Sequence, residues 1–297
     1  MSLVQAVAGQ AGSAGFAAAW RVVRVLPEPA ARRAFEAAAD LAALRGGPGV
    51  KRLRANLARV APGEDLLRPA LRSYARYWCE AFRLPSMDKQ RLVEGTQTVG
   101  EERMRDAVAS GRGTVLALPH SGNWDAAGAW LAHTGVPFAT VAERLRPESL
   151  YDRFVAFRRS LGMEVLPLTG GDRPPFDVLE ERLNGGGTVA LLADRDLTPR
   201  GVDVELFGAR ARMPAGPSRL ALETGADLIP TALSFTATGW RIEFGEPIPH
   251  SDVTTMTQSL ARCFEESIAK SPADWHMLQP LWLDDLADDD PRKARLS

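Results

Sequence analysis

Cysteine is scarce. The 297 residues hold two, Cys79 and Cys263, and neither belongs to a CxxC pair. No disulfide framework follows, and a reducing cytoplasm is the expected compartment. No window of 18 strongly apolar residues occurs, so no membrane-spanning helix is expected. The opening stretch, MSLVQAVAGQAGSAGFAAAW, lacks the basic start of a secretory leader. An excess of one charge is also missing. Lys and Arg number 36 against 37 Asp and Glu, a net of −1, which gives no whole-protein case for nucleic acid as a partner. Ser121 has no GxSxG elbow around it, and no GxGxxG or Walker pattern is present. Gly185-Gly186-Gly187 precedes a strand-like run instead of following one, so it is no phosphate loop.

What is present reads as an ordinary globular chain, 45% apolar and 25% charged, long enough for one large α/β domain over 1–297. The charge is unevenly placed. Residues 1–83 carry 13 basic side chains against 6 acidic ones, while the other end holds Asp284, Asp285, Asp288, Asp289 and Asp290. A basic first third suits an anionic surface such as a lipid headgroup layer, although charged faces also simply solvate helices. Apolar spacing marks helices at 3–26, 30–45, 50–60 and 65–84, broken by Pro27, Pro29 and Gly46-Gly47-Pro48. Residues 1–90 thus form a helical, membrane-associating part. From 91 to 297 strands at 114–120, 136–143, 163–168, 188–194, 202–207, 227–235 and 240–244 alternate with helices of roughly ten to fifteen residues. The expected fold is α/β: a mixed, largely parallel sheet flanked by helices, with the helical part packed against it.

Chemistry concentrates in LPHSGNWDAAGAW (118–130). His120 follows a buried strand and Asp125 stands five residues on, at the start of a helix; such strand-to-helix loops are where α/β proteins place ligands. Gly122 allows a tight turn that can bring the Asp125 carboxylate back to one imidazole nitrogen, leaving the other for a substrate. An N-cap role for Asp125 is the plain alternative. A second candidate is ALLADRDLTPRG (190–201), whose strand ends at Asp194 and can reach the same sheet edge. Asp194 and Asp196 also make a D-x-D, a pattern that can hold a divalent cation on a sugar nucleotide. Arg195 and Arg200 suit phosphates. His133, His250 and His276 read as structural or surface residues, and Cys79 sits in an aromatic helix that reads as core.

These motifs resemble the bacterial lysophospholipid/lipid A-type acyltransferases, whose hallmark is H-x4-D, here His120 to Asp125. The likeness extends through RLRANLARVAP (52–62), YARYWCEAFRLP (74–85), RFVAFRRSLGMEVLPL (153–168), TVALLADRDLTPRGVDVELFG (188–208), ARMPAGPSRLALETGADLIPTAL (211–233) and DWHMLQPLW (274–282). Within the family the wording is most similar to the actinobacterial phosphatidylinositol mannoside acyltransferases. The resemblance implies a glycerolipid-acyltransferase-like fold, peripheral on the cytoplasmic face of the plasma membrane. It implies transfer of a palmitoyl-type chain from acyl-CoA to a mannose hydroxyl of an anionic glycolipid, with acyl-CoA a substrate and no cofactor or metal. By the same resemblance His120 is the base, Asp125 its partner and Asp194 an acid completing a relay. Arg158, Arg200 and Glu223 join His120 in holding acyl-CoA. The backbone N–H groups after His120, or Arg158, are the expected oxyanion donors. Three other readings stay open: the same transfer to another glycolipid or a lysophospholipid, a metal-dependent glycosyltransferase using Asp194 and Asp196, and a non-catalytic lipid-binding protein.

Overall fold

The computed structural model describes residues 19–144, 147–196, 201–288 and 290. A helical stretch over 19–25 leads into three helices, α1 (Glu28–Arg45), α2 (Pro48–Val60) and α3 (Leu67–Arg83). Proline in the first turn of α1 and α2 costs no hydrogen bond there and pre-sets the backbone. The 19–25 stretch is tied down by its own end. Arg83 donates to the Val23 and Leu26 carbonyls, and Trp20 donates to Phe82 O while its ring packs on Phe154 and Phe157. The first part of the expected 3–26 helix lies outside the described residues.

The chain then alternates: α4 (Lys89–Glu94), β1 (Thr96–Val99), α5 (Glu101–Ser110), β2 (Thr114–Leu118), α6 (Trp124–His133), β3 (Phe138–Ala142), α7 (Glu148–Ser160), β4 (Glu164–Pro167), α8 (Pro175–Asn184) and β5 (Thr188–Leu192). A hairpin of β6 (Val202–Leu206) and β7 (Ala209–Met213) follows. Then come α9 (Gly216–Thr224), β8 (Asp227–Phe235), β9 (Trp240–Phe244) and α10 (Val253–Lys270). The main sheet runs β1-β9-β8-β2-β5-β3-β4, parallel throughout except for the β8–β9 pair. The expected mixed, largely parallel sheet is what forms. Sequence spacing did not reveal α4, β1 or β7. The strand TQTV is short and polar, and the alternation in ARARM hides behind arginine stems.

Both faces of the sheet are covered, so its central strands are apolar on both sides. On β2, Leu116 and Leu118 face a core built with α3, α6 and α7, while Val115 and Ala117 face a second core with α8, α9 and α10. A smaller cluster, around Leu53, Leu57 and Leu71, joins the first three helices. After α10 the chain returns across the C-terminal ends of the strands. There Trp275 and Trp282 are wholly buried, the two rings edge to face at 6.0 Å. Among the described residues no helix is long and apolar enough to cross a membrane.

Candidate active site

Strand register brings the first two site residues together. β2 and β5 run parallel with Leu118 opposite Leu192, and Ala193 N–H donates to Leu118 O at 2.8 Å. His120 and Asp194 each stand two residues beyond those partners, side by side at the C-terminal edge of the sheet. The Asp194 Oδ1 lies 2.5 Å from His120 Nδ1, and its Oδ2 accepts from His120 N–H and from the Trp275 indole, both at 2.9 Å. Asp194 is 0% exposed. Burial alone raises its pKa, but the charge of His120 and the donors around the carboxylate outweigh burial and hold it below the usual aspartate range. With Nδ1 on this carboxylate, the neutral ring carries its proton there and its lone pair on Nε2. Nε2 has no hydrogen-bond partner among the described residues, and the ring keeps 22% of its surface exposed, edge-on to Trp124.

Asp125 does not reach the imidazole. Asn123 caps α6, its side chain accepting from Ala126 N–H, so Asp125 falls inside the first turn and points away from the loop. Neither sequence alternative for Asp125 holds: it is not on His120, and it is not the cap. Its Oδ2 accepts from Tyr77 O–H at 2.8 Å and its Oδ1 from Arg158 Nε at 2.7 Å; Asp125 and Tyr77 are buried and Arg158 is half-buried. Burial, then the charge of Asp125, pushes the Tyr77 phenol well above its usual range. Burial works against the Arg158 charge, yet Asp125 and Tyr77 overcome it and keep the guanidinium firmly protonated. The resemblance gave Asp125 and Asp194 to one imidazole; the fold gives Asp194 to His120 and Asp125 to Arg158.

The Asp125–Arg158 pair also forms the charged part of a mostly apolar cavity of about 70 Å³. Strand residues Leu116, Leu118, Ala190 and Leu192 line one side, Trp124, Gly128 and Leu131 of α6 the other. The wall continues to Ile242 and Phe244 on β9 and to Phe138 and Thr140 on β3. Those strands bracket β8, β2 and β5, so the lining residues come from strands spread over about 19 Å of the sheet at strand spacings of ~4.8 Å. Trp124 belongs both to this wall and to the surroundings of His120.

The loop after His120 is held by partners far off in sequence. Gly122 has φ +56, and a Cβ there would stand 2.9 Å from the Leu233 carbonyl carbon, so the turn requires glycine. Ser121 N–H donates to Pro119 O, and Gly122 N–H to Asp274 O. The turn's first two amides are thus committed. Buried Glu80 accepts from Asn123 Nδ2, Trp240 Nε1 and Arg76 Nε, locking the α6 cap to α3. His276 N–H donates to His120 O, and its Nε2 meets the Ser73 hydroxyl at 3.0 Å. Glu80, Tyr77, Trp275 and His276 were missed as site residues. DWHMLQPLW was visible as a motif, but no spacing rule ties it to His120.

Glu223 is not brought to this cluster. It pairs with Arg219 one turn earlier on α9, and α9 leads into Asp227, which is opposite Thr114 at the start of β2, the far edge of the sheet from His120. Arg200 lies outside the described residues. The D-x-D carboxylates diverge: Asp194 is on His120, whereas Asp196 accepts from Gly201 N–H beside the hairpin. Among the described residues no group of three or more His, Cys, Asp or Glu is arranged to hold a metal ion. Burial raises both thiols, Cys79 to about 11, so neither is a ready nucleophile.

Residues 10–284 match the family model described as bacterial lipid A biosynthesis acyltransferase. The chain belongs to that family. It is an acyltransferase with a lipid substrate. It is similar to the phosphatidylinositol mannoside acyltransferase of Mycolicibacterium smegmatis (strain ATCC 700084 / mc(2)155), 54% identical over 296 residues, covering 97% of this chain and 96% of that one. It is also similar to the phosphatidylinositol mannoside acyltransferase of Mycobacterium tuberculosis. The identity is 51% in strain CDC 1551 / Oshkosh and 50% in strain ATCC 25618 / H37Rv, over 95% of this chain and 91% of each relative. Membership in an acyltransferase family sets aside the glycosyltransferase and the non-catalytic lipid binder.

Proposed function

We propose that this chain moves a long, palmitoyl-type acyl group from acyl-CoA to a mannose hydroxyl of a phosphatidylinositol mannoside. The substrate class rests on the relatives, which carry that name and match over nearly their whole length. The mechanism rests on one observation: an imidazole held through Nδ1 by a buried carboxylate at 2.5 Å, with Nε2 left for an incoming hydroxyl.

His120 Nε2 takes the proton as the sugar oxygen attacks the thioester carbonyl carbon. A C–O bond forms, the C–S bond breaks, and the proton passes from the ring to the departing CoA thiolate. Asp194 stabilises the imidazolium between those events. Arg158, held by Asp125 in the cavity wall, is a candidate donor to the developing oxyanion, as are the backbone N–H groups of the turn after His120, and loss of such a donor raises the barrier by about 3–4 kcal/mol. The acyl chain enters the mostly apolar cavity under α6, which widens to take it and whose wall at Trp124 adjoins the reacting ring. Arg200 remains a further candidate for holding the donor, and Glu223, at the opposite edge of the sheet, is one only for a part of the donor remote from the thioester.

The enzyme works at the cytoplasmic face of the plasma membrane, held there peripherally. Its first helical elements expose Val22, Val25, Leu41 and Leu44 among Arg21, Arg24, Arg33 and Arg45, a mixture suited to an anionic headgroup layer.

The test is release of free CoA from palmitoyl-CoA with a panel of purified lipid acceptors, the product weighed by mass spectrometry. Transfer to the mannoside is expected, with His120→Ala inactive yet folded. Equal CoA release without the mannoside, or near-full activity in His120→Ala, overturns the reading.

A further inference from the structure

We propose that Trp275 is a positioning residue for the Asp194–His120 pair, its indole N–H fixing the carboxylate oxygen that does not face the ring. The proposal rests on His120 being the base.

Asp194 has two oxygens with different duties. Oδ1 meets Nδ1, and Oδ2 is shared by two donors, the His120 backbone N–H and the Trp275 indole. The first donor moves with the loop that carries the histidine. The second comes from another part of the chain and is the one that references the carboxylate to a fixed body. Trp275 is wholly buried, its ring packed edge-on against Trp282. The segment around it is fastened on both sides. Asp274 O takes Gly122 N–H, Asp274 Oδ2 takes Phe235 N–H, and His276 N–H gives to His120 O. Downstream, Asn56 Nδ2 donates to Met277 O at 2.7 Å and Gln279 O at 3.0 Å. The strand ends and the strap therefore meet at one carboxylate.

A hydrogen bond to a carboxylate lowers its basicity. Without the indole donor, Asp194 becomes the stronger base, grips the Nδ1 proton harder and holds the imidazolium longer. The other ionisable groups around the pair have partners of their own. Asp125 has Arg158 and Tyr77, Arg195 has Gln279 and Glu143, and Asp274 has Ser73 and Phe235 N–H. Glu80 has Arg76, Asn123 and Trp240, and His276 is kept neutral by burial.

The experiment compares Trp275→Phe with Trp282→Phe in the acyl-CoA assay across pH. Each substitution removes a buried indole and its hydrogen bond, but the Trp282 N–H is given to Leu206 O and not to Asp194, so this variant reports what loss of a buried indole does away from the carboxylate. Expected for Trp275→Phe is a kcat lower by about tenfold to a hundredfold, the usual range for a lost bond to a charged group. The KM for acyl-CoA should stay little changed, and the acidic limb of kcat/KM should move to higher pH. Trp282→Phe should leave that limb in place. A limb that stays put or moves down in Trp275→Phe overturns the proposal. If Trp275→Phe does not fold, the indole ¹⁵N–¹H resonance of Trp275 in the wild type serves instead. It should shift with the midpoint of the acidic limb and lose that shift in His120→Ala; indifference to pH overturns the proposal. A wild type whose activity does not depend on His120 instead defeats the assignment of the base, before Trp275 is at issue.

Discussion

Two aspartates 69 positions apart, Asp125 and Asp194, look interchangeable as partners of His120 until their environments are compared. Asp194 holds the ring, whereas Asp125 neutralises a half-buried guanidinium. Asp194→Asn should keep the fold and lower kcat by about 10³- to 10⁴-fold, since an amide misorients the Nδ1 proton. Asp125→Ala should instead cost about 1–3 kcal/mol in urea unfolding, because half-buried Arg158 and the buried Tyr77 hydroxyl lose their acceptor. If the two variants show the same loss of stability, this division of labour is wrong. His276 adds a pH signature. Burial, then the nearby His120, lowers its pKa to about 3. The unfolded chain takes up a proton near the ordinary histidine value, about 6.5, while the native protein does not. Its contribution to stability is complete above that value and is lost as pH falls toward 3, by at most about 1.4 kcal/mol per pH unit. Denaturation at stepped pH should show this slope, and His276→Gln should flatten it.

At the level of elements, the H-x4-D spacing pointed to the loop after β2 and paired His120 with the wrong carboxylate. Spacing counts residues along the chain, whereas register counts them across strands. TVALLAD ending at Asp194 was legible as a buried strand, and the Leu118–Leu192 pairing then makes Asp194 the neighbour of His120. Tyr77 and Trp240 could not be read, because their bonds join residues 48 and 160 positions apart. The first helical elements carry a prediction of their own. Val25 is 81% exposed and Leu44 85%, beside arginines. Val25→Asp with Leu44→Asp should weaken adsorption to vesicles containing anionic lipid at least several-fold, by flotation or sedimentation. CoA release from detergent-dispersed substrates should be unaffected. Unchanged vesicle binding would place the membrane contact elsewhere.

For the whole molecule, alternating strands and helices were enough to give the layered architecture, because each central strand is apolar on both sides. The cavity was not readable that way. It lies between α6 and five strands, and Gly128 on α6 already sits against Met163 and Phe138, where an added Cβ would stand 2.7 Å from Met163 Cε. Gly128→Val should push those side chains into the space and move donor preference toward shorter acyl-CoA, measured by competition among chain lengths.

Synthesis imposes an order on this arrangement. The carboxylate of Asp194 leaves the ribosome 81 residues ahead of the indole that steadies it. A nascent chain halted after α10 would carry every strand of the sheet and both members of the dyad, but not their brace. On that proposal the dyad is steadied only once the segment behind α10 has been made, and because Trp275 and Trp282 belong to the buried core, a protease nick there would loosen brace and scaffold together.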